Sequence, residues 1–253
     1  MLNVVTVILS AAAAVLGFVL GLLCCRFLNK IPAVWLCDYD EEPSDELLSG
    51  TRFKVKPDGL IMGGILAVAM AADVLLTGIS YTLPLVLLLF LLLMLISASD
   101  AKYTIIPDQF TAAVAVVSVL FAVIDLFTEQ TFIEKWYAPI LGALCGGGLL
   151  IILDLLSMLI FKRTGFGFGD VKLLAALGLF FGVKYVIVML VISFFAAAVH
   201  FLILIFTGKA RRGVYLPMGP YICIAAAITV ALQPQISSLF NLYRTLMTMD
   251  VLP

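Results

Sequence analysis

Charge is scarce in this chain. Of 253 residues only 12% are Asp, Glu, Lys or Arg, against about a quarter in an ordinary soluble domain. Fifteen bases nearly balance sixteen acids, for a net charge of −1, so no basic surface points to nucleic acid or another polyanion. Histidine occurs once, at His200, and no two cysteines are spaced as C-x-x-C. The five cysteines are an odd number, which argues against both a disulfide framework and a zinc cage. Cys24, Cys25, Cys145 and Cys223 lie in apolar runs and read as small buried hydrophobes; only Cys37 lies in a polar loop. Segments alternating apolar with polar residues are missing, which excludes a membrane β-barrel. An internal repeat is missing as well.

What fills the chain is apolar. Hydrophobic residues make up 64% and the mean hydropathy is +1.20. The fold class is therefore all-α, a polytopic membrane protein. Reading runs of about 20 apolar residues as crossings predicts eight spans, at roughly 4–25, 58–77, 82–98, 109–127, 138–161, 173–182, 185–206 and 216–233. The sixth is short. Joined to the seventh it would be far too long for one crossing, and Gly178, Gly182 and Lys184 favour a break.

The bases orient the helices. With eight spans and both termini outside, the inner loops hold Arg26, Lys30, Arg52, Lys54, Lys56, Lys102, Lys162, Arg163, Lys172, Lys209, Arg211 and Arg212. The outer side holds only Lys135, Lys184 and Arg244. Short cytoplasmic loops collect Lys and Arg, so this split predicts a multi-pass plasma-membrane protein. Residues 1–253 read as one membrane-embedded domain with a short cytoplasmic loop at about 26–57, its first helix a retained anchor. That loop carries Asp38, Asp40, Glu41, Glu42, Asp45 and Glu46, and then Arg52, Lys54 and Lys56. They read as a solvated face.

Acids at membrane depth are costly and are functional suspects by default. Two lie at the ends of apolar runs, Asp100 after Ser97-Ala98-Ser99 and Asp170 within Gly165-Phe166-Gly167-Phe168-Gly169-Asp170-Val171-Lys172. The topology, drawn from Lys and Arg alone, puts both at the cytoplasmic face. Two carboxylates brought together in a poorly solvated site share a proton and titrate as a unit. In an aspartic protease the ionised member deprotonates a water while its protonated partner polarises the peptide carbonyl. Gly167 and Gly169 suit a strand-like loop that holds an extended substrate beside the acid. The blander alternative makes Asp170 an ordinary helix cap. Pro107-Asp108 reads as an entry turn and cap for the fourth span.

Gly167-Phe168-Gly169-Asp170 resembles the GxGD signature of intramembrane-type aspartic proteases. With Val171-Lys172-Leu173 it resembles more specifically the prepilin peptidases of type IV pilus and type II secretion systems. Asp100, followed seven residues later by Pro107-Asp108, is similar to that family's first catalytic segment. Leu216-Pro217-Met218-Gly219-Pro220-Tyr221 is similar to its late PxGP segment, and Asn29-Lys30-Ile31-Pro32 to the loop after its first helix. The resemblance covers about residues 15 to 233. It implies a GxGD-type eight-helix fold and an enzyme that removes the leader of prepilins or pseudopilins at the cytoplasmic membrane face. Asp100 and Asp170 would be the catalytic pair, Gly167, Gly169, Lys172, Pro107 and Asp108 would support it, and cleavage would need no metal or other cofactor. The lipid bilayer and a basic-leader substrate are the implied partners; the acidic residues 38–46 would attract such a leader at short range, within about 8 Å at physiological salt.

One departure stands out. Many members carry paired C-x-x-C segments in the first inner loop and also N-methylate the new N-terminus. Here that loop has Cys37 alone, short of the four ligands a structural zinc site takes, which puts methyl transfer in doubt. Two other classes compete with the peptidase. A proton-coupled transporter would run a relay through Asp100, Asp154 and Asp170, but it should show related halves. A non-catalytic pilin-binding scaffold would keep the acids idle. Elsewhere, Asp154 is read as a supporting acid, Asp125 as interfacial, His200 as a hydrogen-bonded interior residue, and Trp136 and Tyr137 as interfacial anchors.

Overall fold

The computed structural model describes residues 4–37, 42–48, 50–128, 131–162, 164–208 and 216–249. Asp38, Asp40 and Glu41 of the acidic cluster lie outside these residues, as do Arg163, Lys209, Arg211 and Arg212 of the basic loops. Within them the regular structure is helical, as unbroken apolar runs require. The elements are α1 (Val4–Lys30), the single turn α2 (Asp45–Leu48), α3 (Leu60–Thr77), α4 (Leu83–Tyr103), α5 (Asp108–Phe127), α6 (Ala138–Phe161), α7 (Phe168–Phe206), α8 (Gly219–Ala231) and α9 (Gln233–Met249). Prolines open α4, α6 and α8 at their first two positions, where a missing N–H is no loss.

Among the described residues six helices are long and apolar enough to cross a membrane, or seven if α8 and α9, bent by 73° to one another, count as one broken span. The chain is a polytopic all-α membrane protein. Helix α7 has 39 residues, about 58 Å at 1.5 Å per residue and well beyond a hydrocarbon core of about 30 Å. It is interrupted at Gly182, whose φ of 64° and ψ of 179° are not helical; a side chain would be strained there. The break expected between residues 178 and 184 thus falls at Gly182. The arm before it starts at Phe168 rather than near residue 173, so Gly169 and Asp170 belong to a helix and not to a loop. The eighth expected span is shortened to Gly219–Ala231. Helix α9 was not expected, since its stretch holds no long apolar run.

Helix α1 packs along α3 and α6 along α7, while α4, α5 and α8 fill the space between the two pairs. Beneath the loop joining α5 to α6 sits an aromatic cluster. Phe121 and Phe180 stack at 3.7 Å between ring centroids, with Phe132 set against Phe180, Phe181 and Tyr185.

Asp125 holds that loop. It was expected at an interface, but it is fully buried. Its carboxylate accepts the backbone N–H groups of Thr131, Phe132 and Ile133 at 3.0, 2.9 and 2.8 Å, together with the Thr131 hydroxyl. Removing one acceptor from several buried donors costs about 1–3 kcal/mol for each group left unpaired. Asp125→Ala is therefore expected to lower the unfolding temperature in detergent by several degrees, whereas Asp125→Asn, which keeps one carbonyl, loses less. Equal unfolding temperatures for all three proteins would refute this role.

Candidate active site

Asp100 sits in the last turn of α4 and Asp170 in the first turn of α7, 4% and 3% exposed. Both line one cavity of about 540 Å³, which Trp35, Ile106, Asp108 and Lys172 also line. The first acid is placed by a sharp helix end. Thr104 takes a left-handed φ of 56° and donates its N–H to the Asp100 carbonyl at 2.8 Å. The chain then runs to Pro107, extended at φ −62° and ψ 129°, which starts α5 at Asp108.

Far along the chain, Gly219 opens α8 and donates its N–H to Asp100 Oδ2 at 2.8 Å. The segment Leu216–Tyr221, singled out by its pattern, thus touches the acid directly. A Cβ at Gly219 would lie 2.6 Å from that oxygen, so only glycine allows this approach.

Asp170 caps its own helix in part. Its Oδ2 accepts the Gly167 N–H at 3.3 Å. Its other oxygen, Oδ1, is buried and finds no hydrogen-bond partner among the described residues. Capping therefore occupies one oxygen and leaves one bare. The glycines divide their work differently from the expected strand-like loop. Gly167 is extended, at φ −75° and ψ 147°, whereas Gly169 is helical and lies where a Cβ would stand 3.1 Å from Ile106 Cβ. That contact packs the second acid's segment onto the first's.

Further tethers hold the two segments. Lys172 donates to both carboxylate oxygens of Asp108 at 2.8 and 2.9 Å and lies 4.9 Å from the Phe168 ring centre. Asp154, on α6, accepts the N–H groups of Gly165 and Phe166 at 2.7 and 3.1 Å. It anchors the loop that leads to Asp170. Lys102 pairs with Glu46 at 2.9 Å and donates to the Arg52 carbonyl. The Arg52 guanidinium in turn caps α1 through the Leu28 and Ile31 carbonyls at 3.3 and 2.7 Å. The Asn29 amide and the Phe53 backbone exchange two hydrogen bonds of 2.8 Å.

Asp100, Asp170, Pro107, Asp108, Gly167, Gly169 and Lys172 are therefore gathered around one cavity. Lys102 was named from sequence only as an inner-loop base, although a signal for its place near the acids was present. Asp100-Ala101-Lys102 and Asp170-Val171-Lys172 share the spacing Asp-x-Lys, and each lysine pairs with an acid from another segment. Among the described residues no three His, Cys, Asp or Glu side chains gather as a metal site.

The ion pair gives a measurable coupling. Both side chains are about one-third or more exposed, and such pairs contribute roughly 0.2–1 kcal/mol. Lys172→Met and Asp108→Asn are each expected to slow turnover a few-fold, and the double variant should be no slower than either single one. Strictly multiplicative losses would show that the pair does not act together.

Comparison with known proteins gives the family of the chain. The model of the type IV leader peptidase family matches residues 85–202, a stretch that contains both acids. The leader peptidase HopD of Escherichia coli is 30% identical over 152 residues, which are 58% of this chain and 92% of that protein. The chain belongs to the type IV leader peptidase family. Two longer relatives are prepilin leader peptidase/N-methyltransferases. The one from Dichelobacter nodosus is 31% identical over 144 residues, 57% of this chain and 47% of the relative. The one from Xanthomonas campestris pv. campestris is 31% identical over 133 residues, 53% of this chain and 44% of the relative. The match thus spans about half the length of these two relatives. No solved structure matches the chain.

Proposed function

We propose that this protein is a membrane aspartic endopeptidase that removes the leader of type IV prepilins or pseudopilins. The observation that carries this reading is the pair of buried carboxylates, Asp100 and Asp170, brought from α4 and α7 to one cavity. The pair shares one proton. Its ionised member takes a proton from a water whose oxygen adds to the scissile carbonyl, and its protonated member donates to the carbonyl oxygen. Collapse of the tetrahedral intermediate breaks the C–N bond, the departing amine takes up the proton taken from water, and a hydroxyl of the intermediate returns its proton to the other carboxylate, restoring the singly protonated pair. Gly219 fixes Asp100 through its N–H, and the Asp154, Ile106 and Lys172 contacts fix the segment of Asp170.

The site belongs to the cytoplasmic face of the inner membrane, with both termini outside. Support comes from the basic residues near the acid-bearing helix ends, Lys102, Lys162 and Lys172, since Lys and Arg collect on the inner side. The protein reads as one membrane-embedded peptidase unit. Methyl transfer forms no part of the proposal, because Cys37 is the only cysteine of the α1–α3 loop.

The test is cleavage of a prepilin reconstituted with the wild-type protein in lipid vesicles, read as a shortened product with a new N-terminus at the leader junction. If several prepilins stay whole under conditions in which a prepilin leader peptidase of the family cuts them, the reading fails.

A further inference from the structure

Helix α7 folds back on itself. Phe166, just ahead of its first arm, meets Phe194, well past the break at Gly182, with ring centres 6.0 Å apart. The second arm therefore returns toward the end of the first that carries Asp170.

Further along this arm comes His200, the single histidine of the chain. Its neighbours Val199, Phe201, Leu202 and Ile203 are exposed apolar side chains, a surface fit for lipid. An ionisable side chain in such surroundings has little water to pair with and takes a partner from the protein. The partner is Tyr221. The imidazole Nδ1 hydrogen-bonds the phenol hydroxyl, and the two ring centres lie 5.8 Å apart with their planes tilted by 50°.

Tyr221 belongs to the turn that holds the first acid. No side chain caps α8 at Met218, Pro220 has no N–H to give, and the Tyr221 N–H turns back to the Met218 carbonyl at 3.1 Å. Two polar contacts tie this first turn to other helices. The Gly219 N–H donates to Asp100 of α4 at 2.8 Å, and the Tyr221 hydroxyl meets His200 of α7. Both lie on one turn, so a shift of Tyr221 carries Gly219 with it.

We propose that His200 is a positioning residue for Asp100, acting through Tyr221 and the first turn of α8. Its effect on turnover rests on the peptidase reading; the tether itself does not. The second arm of α7 then touches both acid-bearing segments. Phe194 backs the loop before Asp170, and His200 backs the turn that grips Asp100. One stretch of helix thereby sets the separation of two carboxylates drawn from distant parts of the chain. Such a tether moves no proton and touches no substrate; it keeps the Asp100 carboxylate turned to the Gly219 N–H.

His200→Leu and Tyr221→Phe each delete the bond and leave a side chain suited to lipid. Each is expected to lower kcat on a prepilin about tenfold at unchanged KM, less than the roughly 10²-fold of a 1 Å misplacement. The double variant should be no slower than either single one. His200→Asn, whose amide both donates and accepts, should recover to within about twofold of wild type. Beside Gly219→Ala, His200→Leu should cost nothing further, because the contact it serves is already broken. A raised KM with kcat unchanged, no recovery with asparagine, or a full additional loss beside Gly219→Ala would overturn the proposal.

Hydrogen exchange of the whole protein in lipid nanodiscs reads the tether without turnover. Residues 216–222 should take up deuterium faster in His200→Leu and Tyr221→Phe than in wild type, with residues 60–77 of α3 unchanged. Wild-type uptake at 216–222, or an equal loss of protection in α3, would overturn the proposal. Faster uptake there in a protein whose wild-type form cuts no prepilin would uphold the tether and reject the peptidase.

Discussion

Asp100→Asn and Asp170→Asn are each expected to reduce prepilin cleavage by about 10²- to 10⁴-fold, the contribution of one general acid or base. Asparagine preserves the shape of the side chain and keeps an oxygen for the Gly219 or Gly167 N–H, but it can neither take a proton from water nor return one. Because the pair acts as a unit, the double variant should be scarcely slower than either single one. Stability gives a second readout. Holding carboxylates that are 4% and 3% exposed costs folding energy unless they are fully paired, and Asp170 Oδ1 has no hydrogen-bond partner among the described residues. The amide variants should therefore unfold at the same temperature as wild type or higher. An acid kept for structure gives the opposite pattern, a lower unfolding temperature with cleavage preserved. That result at either position would move the catalytic role elsewhere.

Asp154 is the natural comparison. It is a half-buried acid that the structure assigns to a different task, holding the backbone of Gly165 and Phe166. An amide carbonyl can accept those two N–H groups as a carboxylate does. Charge is dispensable for that work and indispensable for proton transfer, which is the difference the three asparagine variants measure.

The contrast also explains what could be read from sequence. Asp100 and Asp170 could be picked out because each ends an apolar run, and the structure brings both to one cavity. The break in α7 was legible because a run of that length cannot cross once, and Gly182 lay within it. Asp125 was misjudged: proximity to a helix end looks the same whether the carboxylate meets water or binds three backbone N–H groups, and only the path of residues 131–133 decides. His200 was expected inside; it does bond the Tyr221 hydroxyl, but on an exposed face. Asp73 drew no notice, although it is 2% exposed within α3, since a single acid inside an apolar run carries no spacing signal. Helix α9 was invisible to a search for apolar runs. It is placed instead by Gln233, whose amide donates to the Thr131 carbonyl at 2.8 Å. Tertiary contacts of this kind, between residues far apart in the chain, have no local pattern.

The Gly219–Asp100 contact is the most consequential of them, and it predicts that Gly219→Ala loses activity nearly as completely as a dyad variant. The added methyl would stand 2.6 Å from Asp100 Oδ2 and 3.0 Å from its Cγ, so the carboxylate must turn away or α8 must withdraw with its N–H. Either movement approaches 1 Å, and a displacement of that size at reacting groups costs about 10²-fold. The loss should be the same on every prepilin tested, because the damage is to the acid itself. The cause is separable from general misfolding by a stability cycle. Asp100→Ala removes the two atoms nearest the new methyl, so Gly219→Ala should lower the unfolding temperature of wild type but hardly that of the Asp100→Ala variant. Equal destabilisation in both backgrounds would place the strain elsewhere in α8 and remove Gly219 from the group of residues that position the dyad.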